Sequence, residues 1–312
     1  MKKLIIFLCL ITISTNTFAS KKFEKDLKKL AKFNSFVDNK GNHYQIKENI
    51  NKDNIIIMIY THGSNGKERS TEQCNKKWQK VPPAIYRLDG STIKDFTVKV
   101  YKLCWGVRGW SQKDEDQFWD IYDNNNQDVN SVLNIRDKNG ILLVDKTEIF
   151  TRQKVLKLKV DEFITNGFNN IVLSGHSAGA WGSLVLKSNF PDKIDGVIAF
   201  SPARSAKFAK ELKTKNGPHK GWVNWRNYKM SLIKVNKLDK VLVYAHEKDP
   251  FESAKTLSFL SNSKNVKFMD LSNTSCKKKT FLVGYHGIHL TKCFAEKDPH
   301  SKEIINYLEE IF

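Results

Sequence analysis

The stretch that most constrains this chain is Ile171-Val172-Leu173-Ser174-Gly175-His176-Ser177-Ala178-Gly179-Ala180-Trp181. An apolar, β-branched run meets two glycines that bracket a serine, and helical spacing then runs from Ala180 to about Ser188. The pattern reads as a strand, a sharp turn and a helix, with Gly175-x-Ser177-x-Gly179 at the turn. Such a turn lifts a serine hydroxyl clear of the end of a strand. It tolerates only small neighbours, because the backbone must close tightly and a substrate must approach. The N–H groups of the new helix then face any negative charge that develops on a substrate oxygen.

The rest of the chain repeats the same alternation. Residues 54–60 are a continuous β-branched run, as expected of a strand buried on both faces, and they end in Thr61-His62-Gly63-Ser64. Further strands are expected at 96–103, 194–200, 240–245 and 266–271. Helices are expected at 145–166, 252–260 and 302–312, and 21–51 has the spacing of an amphipathic lead-in. Residues 105–139 are polar and dotted with aromatics (Trp105, Trp110, Phe118, Trp119), a length that points to a functional or inserted segment. Strands alternating with helices give an α/β fold, a mostly parallel sheet flanked by helices. No repeat or linker divides the 312 residues, so 20–312 reads as a single domain.

Residues 1–19 stand apart. Lys2 and Lys3, the apolar run from Leu4 to Ile13, and Thr17-Phe18-Ala19 have the layout of a secretory signal peptide cut after Ala19. Export to the periplasm or the exterior is therefore expected, and with it an oxidising compartment. Beyond Cys9 the cysteines are Cys74, Cys104, Cys276 and Cys293, with no C-x-x-C spacing for zinc or thiol redox chemistry. Three pairings are open. Closeness in sequence favours Cys276 with Cys293, and elimination then joins Cys74 to Cys104. The net charge of +19 comes from lysines scattered along the chain, without a nucleic-acid motif. It predicts weak attraction to an anionic envelope surface and no nucleic-acid partner.

The Gly-His-Ser-Ala-Gly turn between strand and helix resembles the nucleophile elbow of the α/β-hydrolase family. The resemblance implies a serine hydrolase with the chain order serine, acid, histidine. Ser177 is then the nucleophile and Asp249, just past strand 240–245, the acid, with Glu247 and Glu252 as local alternatives. The family's His-Gly segment maps onto His62-Gly63. This implies oxyanion-hole N–H groups from Ala178 and from Gly63 or Ser64. Insertions at 203–239, which hold Trp222, Trp225 and Tyr228, correspond to a family lid.

Two histidines compete for the base within Gly284-Tyr285-His286-Gly287-Ile288-His289. His286 lies in a tight loop beside a glycine and can turn its ring freely, so it is favoured. His289 leads into Leu290, Cys293 and Phe294 and reads as structural, with base chemistry as its alternative. No HExxH or carboxylate cluster suggests a metal, and the implied chemistry needs no cofactor. The expected substrate is a small or polymeric ester. A lipase or serine peptidase of the same fold, and a non-catalytic envelope-binding protein on this scaffold, are the alternatives.

Overall fold

The computed structural model describes residues 33–46, 51–64, 80–104, 120–122, 124, 128–137, 140, 142–203, 213–214, 217–218, 220–276, 284–296 and 299–312. The expected leader at 1–19, Cys74, and Trp105, Trp110, Phe118 and Trp119 lie outside these residues.

Strands β1 (Ser35–Val37) and β2 (His43–Tyr44) form a hairpin ahead of β3 (Ile55–Thr61). The short helix α1 (Pro83–Tyr86) precedes β4 (Thr92–Ile93) and β5 (Phe96–Leu103). Helices α2 (Val129–Leu133) and α3 (Glu148–Thr165) lead to β6 (Asn170–His176), α4 (Ala178–Asn189) and β7 (Gly196–Phe200). A small hairpin, β8 (Lys213–Thr214) with β9 (Gly217–Pro218), precedes α5 (Lys220–Ser231). Strands β10 (Val241–Ala245) and β11 (Val266–Asp270) and helices α6 (Lys292–Glu296) and α7 (His300–Ile311) complete the chain.

One nine-stranded sheet runs β11-β10-β7-β6-β3-β5-β1-β2, with β4 beside β5. The pairings from β5 to β11 are all parallel, and only β1, β2 and β4 run antiparallel. All seven residues of β3 are buried, as its unbroken apolar sequence requires of a strand covered on both faces. Strand alternation splits them. Ile55, Ile57 and Ile59 pack with Leu156, Val160, Trp181 and Leu184 of α3 and α4. Ile56, Met58 and Tyr60 pack with Ile85, Ile304 and Leu308 of α1 and α7. Each such aliphatic side chain contributes about 1.5–3 kcal/mol by leaving water. The parallel register brings Thr61, Leu103, Gly175 and Phe200 to one sheet edge, the carboxyl edge where ligands of such sheets bind.

The lead-in is described only in part, and one expected helix is absent from the described residues. The described part of the lead-in (33–46) holds the β1–β2 hairpin, while Phe23, Leu27 and Leu30, which carry its helical spacing, lie outside the described residues. Phe36 packs tilted against Tyr44 and edge-on against Tyr101 and Phe163 at ring separations of 5.7, 5.0 and 6.1 Å, which anchors the hairpin on the sheet and α3. The Asp38 carboxylate closes the turn by accepting from the N–H groups of Lys40 and Asn42. The helix expected at 252–260 is a set of turns, with 3-10 structure only at Ser258–Asn262. Side chains capture its first backbone donors. The N–H groups of Phe251 and Glu252 go to Asp249, and that of Lys255 to Glu247.

The two insertions meet. Trp225 of α5 is buried in a cluster with Tyr122, Val129, Val132, Leu143 and Val144, and Tyr228 and Phe150 flank it. Helix α5 is therefore fastened to the described residues between 122 and 144.

Candidate active site

Ser177 sits between β6 and α4 with φ 55° and ψ −123°, a conformation L-residues rarely adopt and which costs about 1–3 kcal/mol. Its neighbours hold it there. The Ser177 N–H donates to the Phe200 carbonyl, and the Ser177 carbonyl accepts from Trp181 and Ala203. Both glycines of the turn are obligatory on contact grounds. A methyl at Gly175 would lie 2.7 Å from the Ala180 nitrogen, and one at Gly179 would lie 2.6 Å from the His62 carbonyl oxygen. Ser177 is buried to 9 % exposure, and the first N–H groups of α4, Ala178 leading, lack acceptors within the helix.

The loop after β3 abuts this turn. A β-carbon built on Gly63 would stand 3.0 Å from Ser177 Cβ and 3.1 Å from His176 Nδ1. Two carbonyls of the loop face a buried cation. The Arg152 guanidinium of α3 donates through Nη1 to the His62 carbonyl and through Nη2 to that of Gly63, 3.4 Å away. The His62 ring nitrogen Nδ1 also lies 2.8 Å from the Gly63 carbonyl oxygen.

Asp249 follows β10 in a turn that fixes both carboxylate oxygens. Oδ1 accepts from the N–H groups of Phe251 (2.9 Å) and Glu252 (3.4 Å), while Oδ2 lies 2.7 Å from His286 Nδ1. The pair is buried, at 0 % side-chain exposure for Asp249 and 5 % for His286. Asp249 thus serves both as the turn residue that its Asp-Pro context suggests and as the partner of an imidazole. Glu252 instead meets Arg226 of α5 in a two-pronged ion pair (2.5 and 3.3 Å) that ties α5 to the loop of Asp249. Glu247 accepts from Lys255 N–H on the surface.

His286 lies in 3-10 turns (Gly284–Leu290) that kink at Gly287. Tyr285 stacks on His246 at 3.7 Å, and Phe251 stands 4.3 Å from the His286 ring. The His286 carbonyl accepts from His176 Nε2 at 3.0 Å, and the two rings are 4.6 Å apart. His176, the residue before Ser177, thereby connects the elbow to the histidine turn.

His289 is placed differently. It stacks on Phe200 at 4.6 Å, is 1 % exposed, and neither ring nitrogen has a hydrogen-bond partner among the described residues. Burial, then the nearby His286, pushes its pKa well below the ordinary histidine value. Burial likewise keeps His62 and His176 uncharged. Arg152 adds to the effect at His62, and His289 with His286 add to it at His176. Among the described residues no group of three or more His, Cys, Asp or Glu side chains could hold a metal ion.

Cys276 is bonded to Cys293, beside the histidine turn. Cys104 is also in a disulfide, and the expected partner Cys74 lies outside the described residues. No helix among the described residues is long and apolar enough to cross a membrane.

Sequence reasoning missed three parts of this assembly: Arg152, the His176–His286 bond, and the Arg226–Glu252 pair. Arg152 did leave a signal. It stands four residues before Leu156 and eight before Val160, on the buried stripe of its helix.

The parallel sheet, the serine at a strand–helix elbow and the order serine, aspartate, histidine are in place together. This is an α/β-hydrolase fold. Among solved structures the chain is similar to a monoacylglycerol lipase from Paleococcus ferrophilus (TM-score 0.49, 15% identity, covering 89% of this chain and 98% of that one). It is also similar to Est1E from Butyrivibrio proteoclasticus (0.43, 16%, 89% and 90%) and to a predicted CIB-like hydrolase from Thermoplasma acidophilum (0.45, 16%, 89% and 97%). No family model and no curated protein matches.

Proposed function

We propose that this protein is a serine hydrolase that cleaves carboxylic esters through an acyl-enzyme on Ser177. The observation that carries the reading is the buried bond between His286 Nδ1 and Asp249 Oδ2, in a turn tied through His176 to the strained serine. A neutral imidazole that donates Nδ1–H to a carboxylate carries its lone pair on Nε2, the tautomer a general base needs. His286 Nε2 takes the Ser177 proton as Oγ attacks the ester carbonyl carbon. The N–H of Ala178 and that of Gly63 or Ser64 receive the oxyanion. Collapse of the intermediate breaks the ester C–O bond, and His286 returns the proton to the departing alcohol. Water, deprotonated by the same ring, then releases the acid and frees Ser177. His289 lacks an acid partner among the described residues and serves as packing between the elbow and Phe200.

The domain at 20–312 works after loss of the leader at 1–19, in the periplasm or outside the cell. A disulfide and an apolar leader with a small-residue end support that setting. The partner is a small or polymeric ester, and the chemistry calls for no cofactor. Hydrolysis of nitrophenyl esters of rising chain length tests the reading. Ser177→Ala is expected to remove all turnover with the fold unchanged, and full activity in a clean Ser177→Ala preparation would refute it.

A further inference from the structure

Arg152 is 1 % exposed, yet its charge belongs to none of the catalytic roles above. Its stem crosses from α3 over the open flank of Gly182 on α4, where a methyl group would lie 3.4 Å from Arg152 Cδ. Its two terminal nitrogens end on two successive carbonyls, those of His62 and Gly63. Those carbonyls are not arbitrary. The peptide that ends in the His62 carbonyl begins the Gly63 N–H, and the next one joins the Gly63 carbonyl to the Ser64 N–H. In a trans peptide the N–H points opposite to the carbonyl, and the described chain has no cis bond. Drawing both carbonyls toward α3 therefore turns the Gly63 and Ser64 N–H groups away from it, in a loop that already touches Ser177. A cation on a carbonyl also polarises the amide of the same peptide and strengthens its N–H as a donor. The guanidinium suits the task because its fork reaches two acceptors at fixed spacing, which an ammonium cannot do.

We propose that Arg152 is a positioning residue for the oxyanion hole. It holds the His62-Gly63-Ser64 backbone so that the donor opposite Ala178 is aimed before substrate arrives. The inference rests on the esterase reading, and it adds a residue that acts through the backbone and never touches substrate.

The test compares the wild type with Arg152→Met, Arg152→Gln and Arg152→Lys, using active-site titration to normalise each rate to functional enzyme. Three quantities are read: kcat and KM for a nitrophenyl ester, inhibition by a trifluoromethyl ketone whose serine adduct carries an oxyanion, and the melting temperature. Arg152→Met is expected to lower kcat about 10- to 100-fold per titrated site, less than outright loss of an oxyanion donor, with KM nearly unchanged. Ketone affinity should fall by the same factor. Arg152→Lys and Arg152→Gln, which cannot hold both carbonyls as the fork does, should fall between. A purely structural role would lower the titre or the melting temperature while leaving kcat per site and ketone affinity intact, and that result overturns the proposal. Failure of all three variants to fold overturns it equally, in favour of a structural role. Absence of any Ser177-dependent hydrolysis in the wild type would instead defeat the esterase reading itself. Wild-type hydrolysis with unaltered Arg152 variants would defeat this inference alone.

Discussion

Mild acid should unfold this protein more steeply than its carboxylates alone would cause, and His289 should be one reason. His62, His176 and His289 are each at most 4 % exposed, and burial holds each well below the ordinary histidine pKa. In the unfolded chain they titrate near pH 6.5. Below that pH the unfolded state binds protons that the folded state refuses, so stability falls as pH falls. Each histidine contributes at most about 1.4 kcal/mol per pH unit, and the three together about 4 kcal/mol per unit in the limit. Asp89, Asp145 and Asp195, whose pKa values burial raises, oppose this trend at lower pH, so the window to use is pH 5.0–7.5. His289→Leu removes one of the three without breaking a hydrogen bond, since both ring nitrogens are unpartnered. Its stability advantage over the wild type should grow by about 2 kcal/mol between pH 7.5 and pH 5.0. Urea unfolding of both proteins at four pH values in that window measures it. A difference that does not change with pH would show that His289 binds its proton in the folded state, and the argument from burial would be wrong.

Two further outcomes follow from the packing around the elbow. Gly179→Ala places a methyl against the Thr61 and His62 carbonyl oxygens and 2.8 Å from the Thr61 carbonyl carbon, all backbone that cannot rotate aside. It should cost about 3 kcal/mol by denaturant unfolding, and a cost below about 0.5 kcal/mol would mean that the loop after β3 yields freely. Cys276 and Cys293 close a loop of sequence separation 17, so replacing both by alanine should destabilise by about 3 kcal/mol under the chain-entropy treatment. Equal stability before and after reduction would contradict this.

What the sequence made legible divides along the range of the interactions. The elbow was legible because its demands are local: a strand, two residues without Cβ and a helix, all within Ile171 to Ser188. The core strands were legible because burial on both faces writes an unbroken apolar run, as in β3. The pairing of Cys276 with Cys293 was legible from closeness alone and is present. The hairpin within 33–46 was not legible because the rings that hold Phe36, those of Tyr101 and Phe163, are far from it in sequence. Segment 252–260 misled because Asp249 and Glu247 capture the donors a helix would have used. Local pattern favoured His286 over His289 through the neighbouring Gly287, but the bond that sets them apart in the structure reaches 37 residues back to Asp249 and left no local trace. Arg152 was hidden for a related reason. In a lysine-rich chain one more basic residue on a helix reads as surface, and its target carbonyls lie about ninety residues earlier.

The central claim is that Ser177 is the nucleophile and His286 its base. It is tested most directly by labelling the purified protein with a fluorophosphonate and mapping the adduct by mass spectrometry in the wild type, His286→Ala and His289→Ala. The account predicts one adduct on the peptide that carries Ser177. Its rate of formation should fall at least about 1,000-fold in His286→Ala, since a serine without its base is a poor nucleophile, and stay near wild type in His289→Ala. An adduct on another residue, or a folded His289→Ala that no longer labels while His286→Ala does, would contradict it.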